Sequence, residues 1–301
     1  MNKKNLLIFL IIIIPGCLLY LVNLNGFPVY FWDEETYLMK SIYYIDFNFD
    51  QILYTLGHPP LAQFFLSLSQ IISINYGGLR FSSSLFTVFS GYIVYLITRF
   101  YTTEKWGILS AYFFYINGLV LIFGRMALLD TCLMFFSLLT YYFIISYYKK
   151  KNRILEAIKH KKNNNSSKMQ ERLKILNKKY TIFITISGTS VLLSKMTGLY
   201  IIGFYILLIF FNANQRFSFF TNRRKEKNVL LELGLYIKKQ IQSHKIIFIS
   251  GITAIMVFFG IYAFRFIYFS INPPFWYDPE DNIENIANFS FNIGQFERFN
   301  I

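Results

Sequence analysis

Charge is what this sequence has least of. Only 15% of its 301 residues are Asp, Glu, Lys or Arg, where a soluble domain of this length carries about a quarter. A water-soluble globule with a single oil-driven core is therefore excluded. Cysteine is almost absent as well: Cys17 and Cys132 both sit inside apolar runs. Two thiols in such settings read as small packing residues, not as a disulfide framework or a cysteine zinc site. No glycine-rich phosphate loop, dinucleotide fingerprint or serine nucleophile elbow occurs, so the common nucleotide-binding and hydrolase signatures are missing too.

What the chain has in place of charge is oil. Hydrophobic residues make up 54% and aromatics 20%, and the mean hydropathy is +0.40. Repeated apolar runs with so little charge between them point to an all-α polytopic membrane protein. The net charge of +14 would suit nucleic acid, but its distribution does not. Of 30 Lys and Arg, 12 lie in 149–179 and 8 in 212–245, both between apolar runs. Basic segments in that position are those of inner loops of membrane proteins. They lack interleaved aromatics and any nucleic-acid module, so no nucleic-acid partner is expected.

Taken in order, residues 6–22 form a first span preceded by Lys3 and Lys4, with the N-terminus inside. Residues 25–79 hold five acids and one lysine, which marks an outer loop. Within it, 60–74 is apolar but short and interrupted by polar residues, the pattern of a helix lying in the interface. Residues 81–98 return inward and 106–123 go out. Gly124 and Arg125 turn, and 127–148 come back to Lys149-Lys150-Lys151. The stretch to Ser167 is basic and polar and is expected to be partly disordered. Residues 180–211 are flanked on both sides by basic segments, so the crossings between them must be even in number. A pair of short spans, 181–193 and 197–211, turning at Ser194–Gly198, satisfies that parity and puts Lys195 outside. Residues 246–269 make the last span. The sum is about seven spans, with the domain running over 1–271 and an acidic outer tail over 272–301.

This topology gathers a few ionisable groups at the outer surface: Asp33, Glu34, Glu35 and His58 from the first loop, Arg125 with Asp130, and Lys195. Ionisable groups near membrane depth are costly, so each is a functional candidate. Asp33-Glu34-Glu35 is either a solvated acidic turn or a general base or metal ligand. His58 is either structural or in contact with substrate, and Pro59-Pro60 fix the entry of the following helix. Arg125 and Asp130 read equally as an ion pair within the bundle. Lys195, between two short spans, lies where a lipid phosphate would sit and could neutralise it as a leaving group.

These residues carry a resemblance. Phe31-Trp32-Asp33-Glu34 followed by His58-Pro59-Pro60-Leu61 resembles the first outer loop of the protein O-mannosyltransferases. Arg125-Met126-Ala127-Leu128-Leu129-Asp130 is similar to that family's Arg-x-x-Leu-Leu-Asp segment. Ser194-Lys195-Met196-Thr197-Gly198-Leu199 resembles its Ser-x-Lys-x-x-Gly-Leu hairpin, one residue shorter between Ser and Lys. The resemblance implies a GT-C-like helical bundle and an inverting glycosyltransferase. Its donor would be a polyprenyl or dolichyl phosphate sugar, its acceptor a Ser or Thr hydroxyl of an exported protein. Asp33 would be the base, Glu34 would position a substrate, and His58, Arg125 and Lys195 would line the donor site, with Asp130, Pro59 and Pro60 in support. No cofactor is required, and a divalent metal near Asp33 and Glu34 stays open. The active site would face the outside of a prokaryotic cell membrane, or the lumen of the endoplasmic reticulum. Family members usually continue with more spans, so the chain reads as an N-terminal part. Two alternatives follow: transfer to a lipid or glycan, and a non-catalytic half-enzyme whose partner chain supplies the remaining helices.

Overall fold

The structure, a computed structural model, describes residues 3–26, 32–48, 52, 60–72, 75–160, 166–195, 197–210 and 245–271. Among them every regular element is an α-helix. In chain order these are α1 Lys3–Tyr20, α2 Trp32–Ile45, α3 Pro60–Gln70, α4 Tyr76–Tyr101 and α5 Glu104–Ile116. Then come α6 Gly118–Phe123, α7 Leu129–His160, α8 Ser166–Ser194, α9 Gly198–Phe210 and α10 Lys245–Ile271. Contacts divide the chain into Met1–Phe259 and Gly260–Ile301. Of the second unit, the described part is the last turns of α10. The boundary drawn from the sequence, at residue 271, is the last residue of that helix. The tail, 272–301, and most of the basic segment 212–245 lie outside the described residues.

Among the described residues four helices are long and apolar enough to cross a bilayer: Lys3–Tyr20, Tyr76–Tyr101, Leu129–Ile158 and Lys245–Phe264. The chain is a multi-pass membrane protein. The expected spans 106–123, 181–193 and 197–211 are not among these four. The expected span 106–123 is broken at Asn117, which leaves helical geometry and whose Oδ1 accepts from the Val120 backbone N–H at 3.2 Å to start α6. An N-cap of this kind ends one helix and opens another. The pair expected over 181–193 and 197–211 turns where anticipated, α8 ending at Ser194 and α9 opening at Gly198. A Cβ on Gly198 would collide with the Val191 carbonyl, so the turn needs glycine.

A second difference is in the basic stretch. Residues 152–160, in the stretch expected to be partly disordered, continue α7 as helix, and the rest of the basic segment, 166–179, forms the first half of α8. Ile154, Leu155 and Ile158 are half-buried in this part of α7, as are Leu173 and Leu176 in α8. These apolar residues recur at helical spacing on charged helices, so each has a face to shelter while its lysines stay wet.

Elsewhere polar residues share the buried faces with apolar ones such as Leu66, Leu79 and Val88. α3 buries Gln63, Ser67 and Gln70, spaced four and three residues apart, and exposes Phe64, Leu68, Ile71 and Ile72 at or just beyond it. α4 buries Ser82, Ser83, Ser84, Thr87, Ser90 and Gly91. Small polar residues inside and bulky apolar ones outside are what lipid selects, since helices in oil gain from close backbone approach and not from burying grease. The hydroxyls are satisfied locally: Thr87 donates to the Ser83 carbonyl at 3.0 Å, Ser90 to Phe86 at 2.8 Å. Ser84 reaches across to the Gly124 carbonyl at 3.1 Å.

Three helices close around one ring. Tyr115 of α5 is fully buried; its hydroxyl donates to the Val88 carbonyl of α4 at 2.6 Å, and Tyr20 of α1 donates to the Tyr115 carbonyl at 2.8 Å. Gly16 and Gly91 leave the room: a Cβ on Gly16 would lie 2.8 Å from Tyr115 Cζ, and one on Gly91 would overlap the ring. Held at its hydroxyl, the ring cannot step aside. At the end of the bundle where α1 begins, Glu104 takes Lys4 at 3.0 Å and Arg99 at 3.6 Å. At the other end α1 finishes, α4 and α7 begin, and α8 finishes. The candidate residues that are described lie there.

Gly91→Ala should therefore destabilise the protein by about 1–3 kcal/mol through overpacking. Gly203→Ala, in a helical position with open space around it, should be neutral or stabilising by up to about 1 kcal/mol. Thermal unfolding in detergent compares the two, and the opposite signs are the result that checks the packing.

Candidate active site

The site starts from a buried ion pair. Glu34 of α2 and Arg80 of α4 are both fully inaccessible. Arg80 Nε donates to Glu34 Oε1 at 2.8 Å and Nη2 to Oε2 at 2.6 Å, a bidentate fork. Glu34 Oε1 also accepts the Ala127 backbone N–H at 2.8 Å, and Arg80 Nη1 donates to the Leu24 carbonyl at 2.9 Å. Two groups thus tie four pieces of chain: the turn after α1, α2, the first turns of α4, and the strap before α7. Planar bidentate geometry with extra hydrogen bonds is the condition under which a buried charge pair is tolerated.

This lock orients the rest of α2. Successive helical residues point about 100° apart, so with Glu34 turned inward its neighbour Asp33 faces solvent. Tyr37, one turn on, is buried. Burial first, then the carboxylates of Asp33 and of Asp130 from α7, push its phenol above the ordinary range. Both acids therefore bear on one ring. Lys40, two turns from Asp33 on the same helix face, is half-buried; burial pulls its ammonium below the usual lysine range, and Asp33 opposes that fall.

The cation of the site comes from α8. Lys195 follows the last residue of that helix, and its Nζ donates to both oxygens of Asp130, at 2.7 and 2.9 Å. Asp130 sits in the first turn of α7. An acid at a helix start and a cation at a helix end each complement the peptide dipoles there. The lysine side chain is 29% exposed and the aspartate 53%. This is an accessible pair, and an incoming anion can reach it.

The remaining sequence candidates are placed as follows. Arg125 Nη2 donates to the carbonyls of Val22 and Asn23, at 2.9 and 3.2 Å, and so ties down the chain leaving α1. Pro60 opens α3, where its fixed φ and missing N–H cost nothing. His58, Pro59 and the side chain of Glu35 lie outside the described residues. The structure brings Asp33, Asp130 and Lys195 to one end of the bundle. It gives Glu34 a bracing position in which both carboxylate oxygens are occupied.

Sequence reasoning missed Arg80, Tyr37 and Lys40. Arg80 could have been found as an arginine at the start of an apolar helix, where a charge must have a partner. Lys40 could have been found as the one lysine among the five acids of 25–79, seven residues from Asp33. A divalent ion does not fit the described groups here. Glu34 is committed to Arg80 and Ala127, and no three His, Cys, Asp or Glu side chains converge among the described residues. Chemically, the cluster offers an exposed carboxylate that can take a proton and an accessible ammonium that can stabilise a leaving anion.

Removing one partner of the lock strands a charge in a dry place. Arg80→Gln is expected to cost about 3–5 kcal/mol, read as a fall in thermal stability in detergent. The double variant Glu34→Gln/Arg80→Gln should lose clearly less than the two single losses added together. Simple additivity would mean that the two side chains are not coupled.

The sequence pattern of the dolichyl-phosphate-mannose-protein mannosyltransferase family matches residues 57–157, a third of the chain. The matched segment runs from just before His58-Pro59-Pro60-Leu61 through Arg125–Asp130 into α7. Asp33, Glu34 and Lys195 lie outside it. No curated protein and no solved structure matches the chain. The match, over residues 57–157, supports the family that the motifs resemble, that of mannosyltransferase-type glycosyltransferases, in a multi-pass membrane protein.

Proposed function

We propose that the protein transfers mannose, or a related hexose, from a polyprenyl or dolichyl phosphate to a Ser or Thr hydroxyl of an exported protein, with inversion at the sugar carbon. One observation carries this reading. The Glu34–Arg80 lock leaves Asp33 exposed, at the end of the bundle where Asp130 holds Lys195. An exposed carboxylate and an accessible ammonium at one end of the bundle support a base and a phosphate-binding cation acting together.

The chemistry follows from what each group can do. Asp33 accepts the proton of the acceptor hydroxyl as its oxygen attacks the anomeric carbon. The bond from that carbon to the phosphate oxygen breaks on the opposite face, which inverts the configuration. The lipid phosphate leaves with an added negative charge, and Lys195 exchanges Asp130 for that oxygen. Stabilising charge where it develops is the largest contribution such a group can make. Arg125 supports the reading less directly, by fixing the chain between α1 and α2. The family match supports a mannosyl donor and a protein acceptor. The concentration of basic residues in 149–179, at the far end of α7 and α8, supports an outward-facing site.

Membranes containing the protein are incubated with radiolabelled polyprenyl-phosphate-mannose, and the label is followed into protein, glycan and lipid fractions. Label in protein is expected; label confined to lipid or glycan would replace the acceptor. Asp33→Asn should lower transfer by about 10²–10⁴-fold with insertion unchanged. Lys195→Ala should lower it by about 10²–10³-fold and raise the donor concentration needed for half-saturation. Full activity of the first variant would remove Asp33 as the base, and an unchanged donor dependence of the second would remove Lys195 from the phosphate.

A further inference from the structure

The cationic groups at the other end of α7 and α8 are not explained by sugar transfer. From Asp130 to Lys149 the chain advances ~28 Å of helix at ~1.5 Å per residue. That is close to the ~30 Å of a bilayer's hydrocarbon core. On α8 the distance from Lys179 to Lys195 is ~24 Å by the same rise. If Asp130 and Lys195 stand at one headgroup layer, Lys149, Lys150, Lys178 and Lys179 stand at the other.

Their surroundings fit that level. Lys149 Nζ lies 4.7 Å from the centre of the Phe100 ring, Lys150 Nζ 5.3 Å from Tyr180, and Lys179 Nζ 5.6 Å from Phe183. Tyr180 and Phe183 belong with Phe143 and Tyr147 to a packed aromatic girdle where α7 meets α8. Aromatic rings collect at the membrane–water boundary, and a cation over a ring face is attracted to it. Lys149, Lys150, Lys178 and Lys179 are exposed. Among the described residues no ion pair engages any of them. Two acids, Glu156 and Glu171, stand against twelve cations over 149–179. A ring holds an ammonium by one side only and leaves N–H donors unspent. The collar is therefore a row of ammonium groups without carboxylates, three of them held over rings at headgroup depth.

We propose that Lys149, Lys150, Lys178 and Lys179 form a binding site for anionic phospholipid headgroups, at the opposite membrane face from the transfer site. Its ligand is the phosphodiester of a negatively charged glycerophospholipid whose acyl chains lie along the apolar parts of α7 and α8. Bound there, the lipid fixes the depth of the α7–α8 pair, and with it the height of Asp130 and Lys195 at the other end. The site rests on the chain spanning a membrane. It does not depend on which sugar or acceptor is used, and its test involves neither.

The full chain in a mild neutral detergent is titrated with phosphatidylglycerol or with phosphatidylcholine, and retained lipid is counted by native mass spectrometry. Phosphatidylglycerol should be retained at lower concentration than phosphatidylcholine. K149Q/K150Q/K178Q/K179Q should weaken phosphatidylglycerol retention at least about tenfold, because each cation near an anionic surface contributes to attraction. The corresponding Lys→Arg set should restore it. Equal retention of the two lipids, or no loss in the Gln set, would overturn the proposal. So would displacement of the lipid by inorganic phosphate at equal concentration, which would indicate a site for free anion. Should the Gln set fail to insert, the wild-type chain decides alone: added salt must release phosphatidylglycerol before phosphatidylcholine, and simultaneous release would count against the site.

Discussion

A single buried fork of hydrogen bonds, Glu34 to Arg80, governs how this molecule can present its chemistry. Both side chains are removed from water, and each carries a further bond, to the Ala127 N–H and the Leu24 carbonyl. Moving α2 relative to α4 would strand a charge at membrane depth, so the helix cannot slide or roll cheaply. The position of Asp33 is inherited from that constraint. Two adjacent acids end with opposite work because the helix turns about 100° between them: one is structural and dry, the other is exposed and free to meet a substrate.

Lipid sets the second constraint, and it relaxes the usual sorting of residues by leaving bulky apolar side chains exposed. Serines, threonines and glycines lie between α4 and its neighbours, while Phe64 and Leu68 of α3, with Ile71 and Ile72 just beyond it, face outward. Close backbone approach is what such packing provides, as the pinned Tyr115 between Gly16 and Gly91 shows. The charged groups are then driven to the two ends of the helices. At one end Asp130 pairs with Lys195, and Asp33 stands exposed. At the other, lysines rest on aromatic rings without carboxylate partners. The same α7 and α8 run through both.

Much of this was legible in the residues. Sparse charge and long apolar runs announced helices in a membrane. The flanking basic segments required an even number of crossings over 180–211, and the turn at 195–197 followed. Asp33, Asp130 and Lys195 were all named as candidates from their types and positions. Other features were hidden for physical reasons. The break at Asn117 depends on one side chain capping a backbone N–H, a contest that hydropathy does not register. The helical continuation over 149–160 was masked by lysine, whose charge reads as loop although its stem packs well on a helix.

The sequence by itself determined the class of molecule: an all-helical membrane protein, with family motifs in order and the ionisable groups collected near helix ends. Those properties depend on composition, periodicity and local spacing, which are written in the chain. Only the tertiary structure decided which acid is spent on structure and which is free. Glu34 and Arg80 are 46 residues apart, and Asp130 and Lys195 are 65 apart. No local pattern states that partnership, because it arises when packed helices bring remote charges to hydrogen-bonding distance.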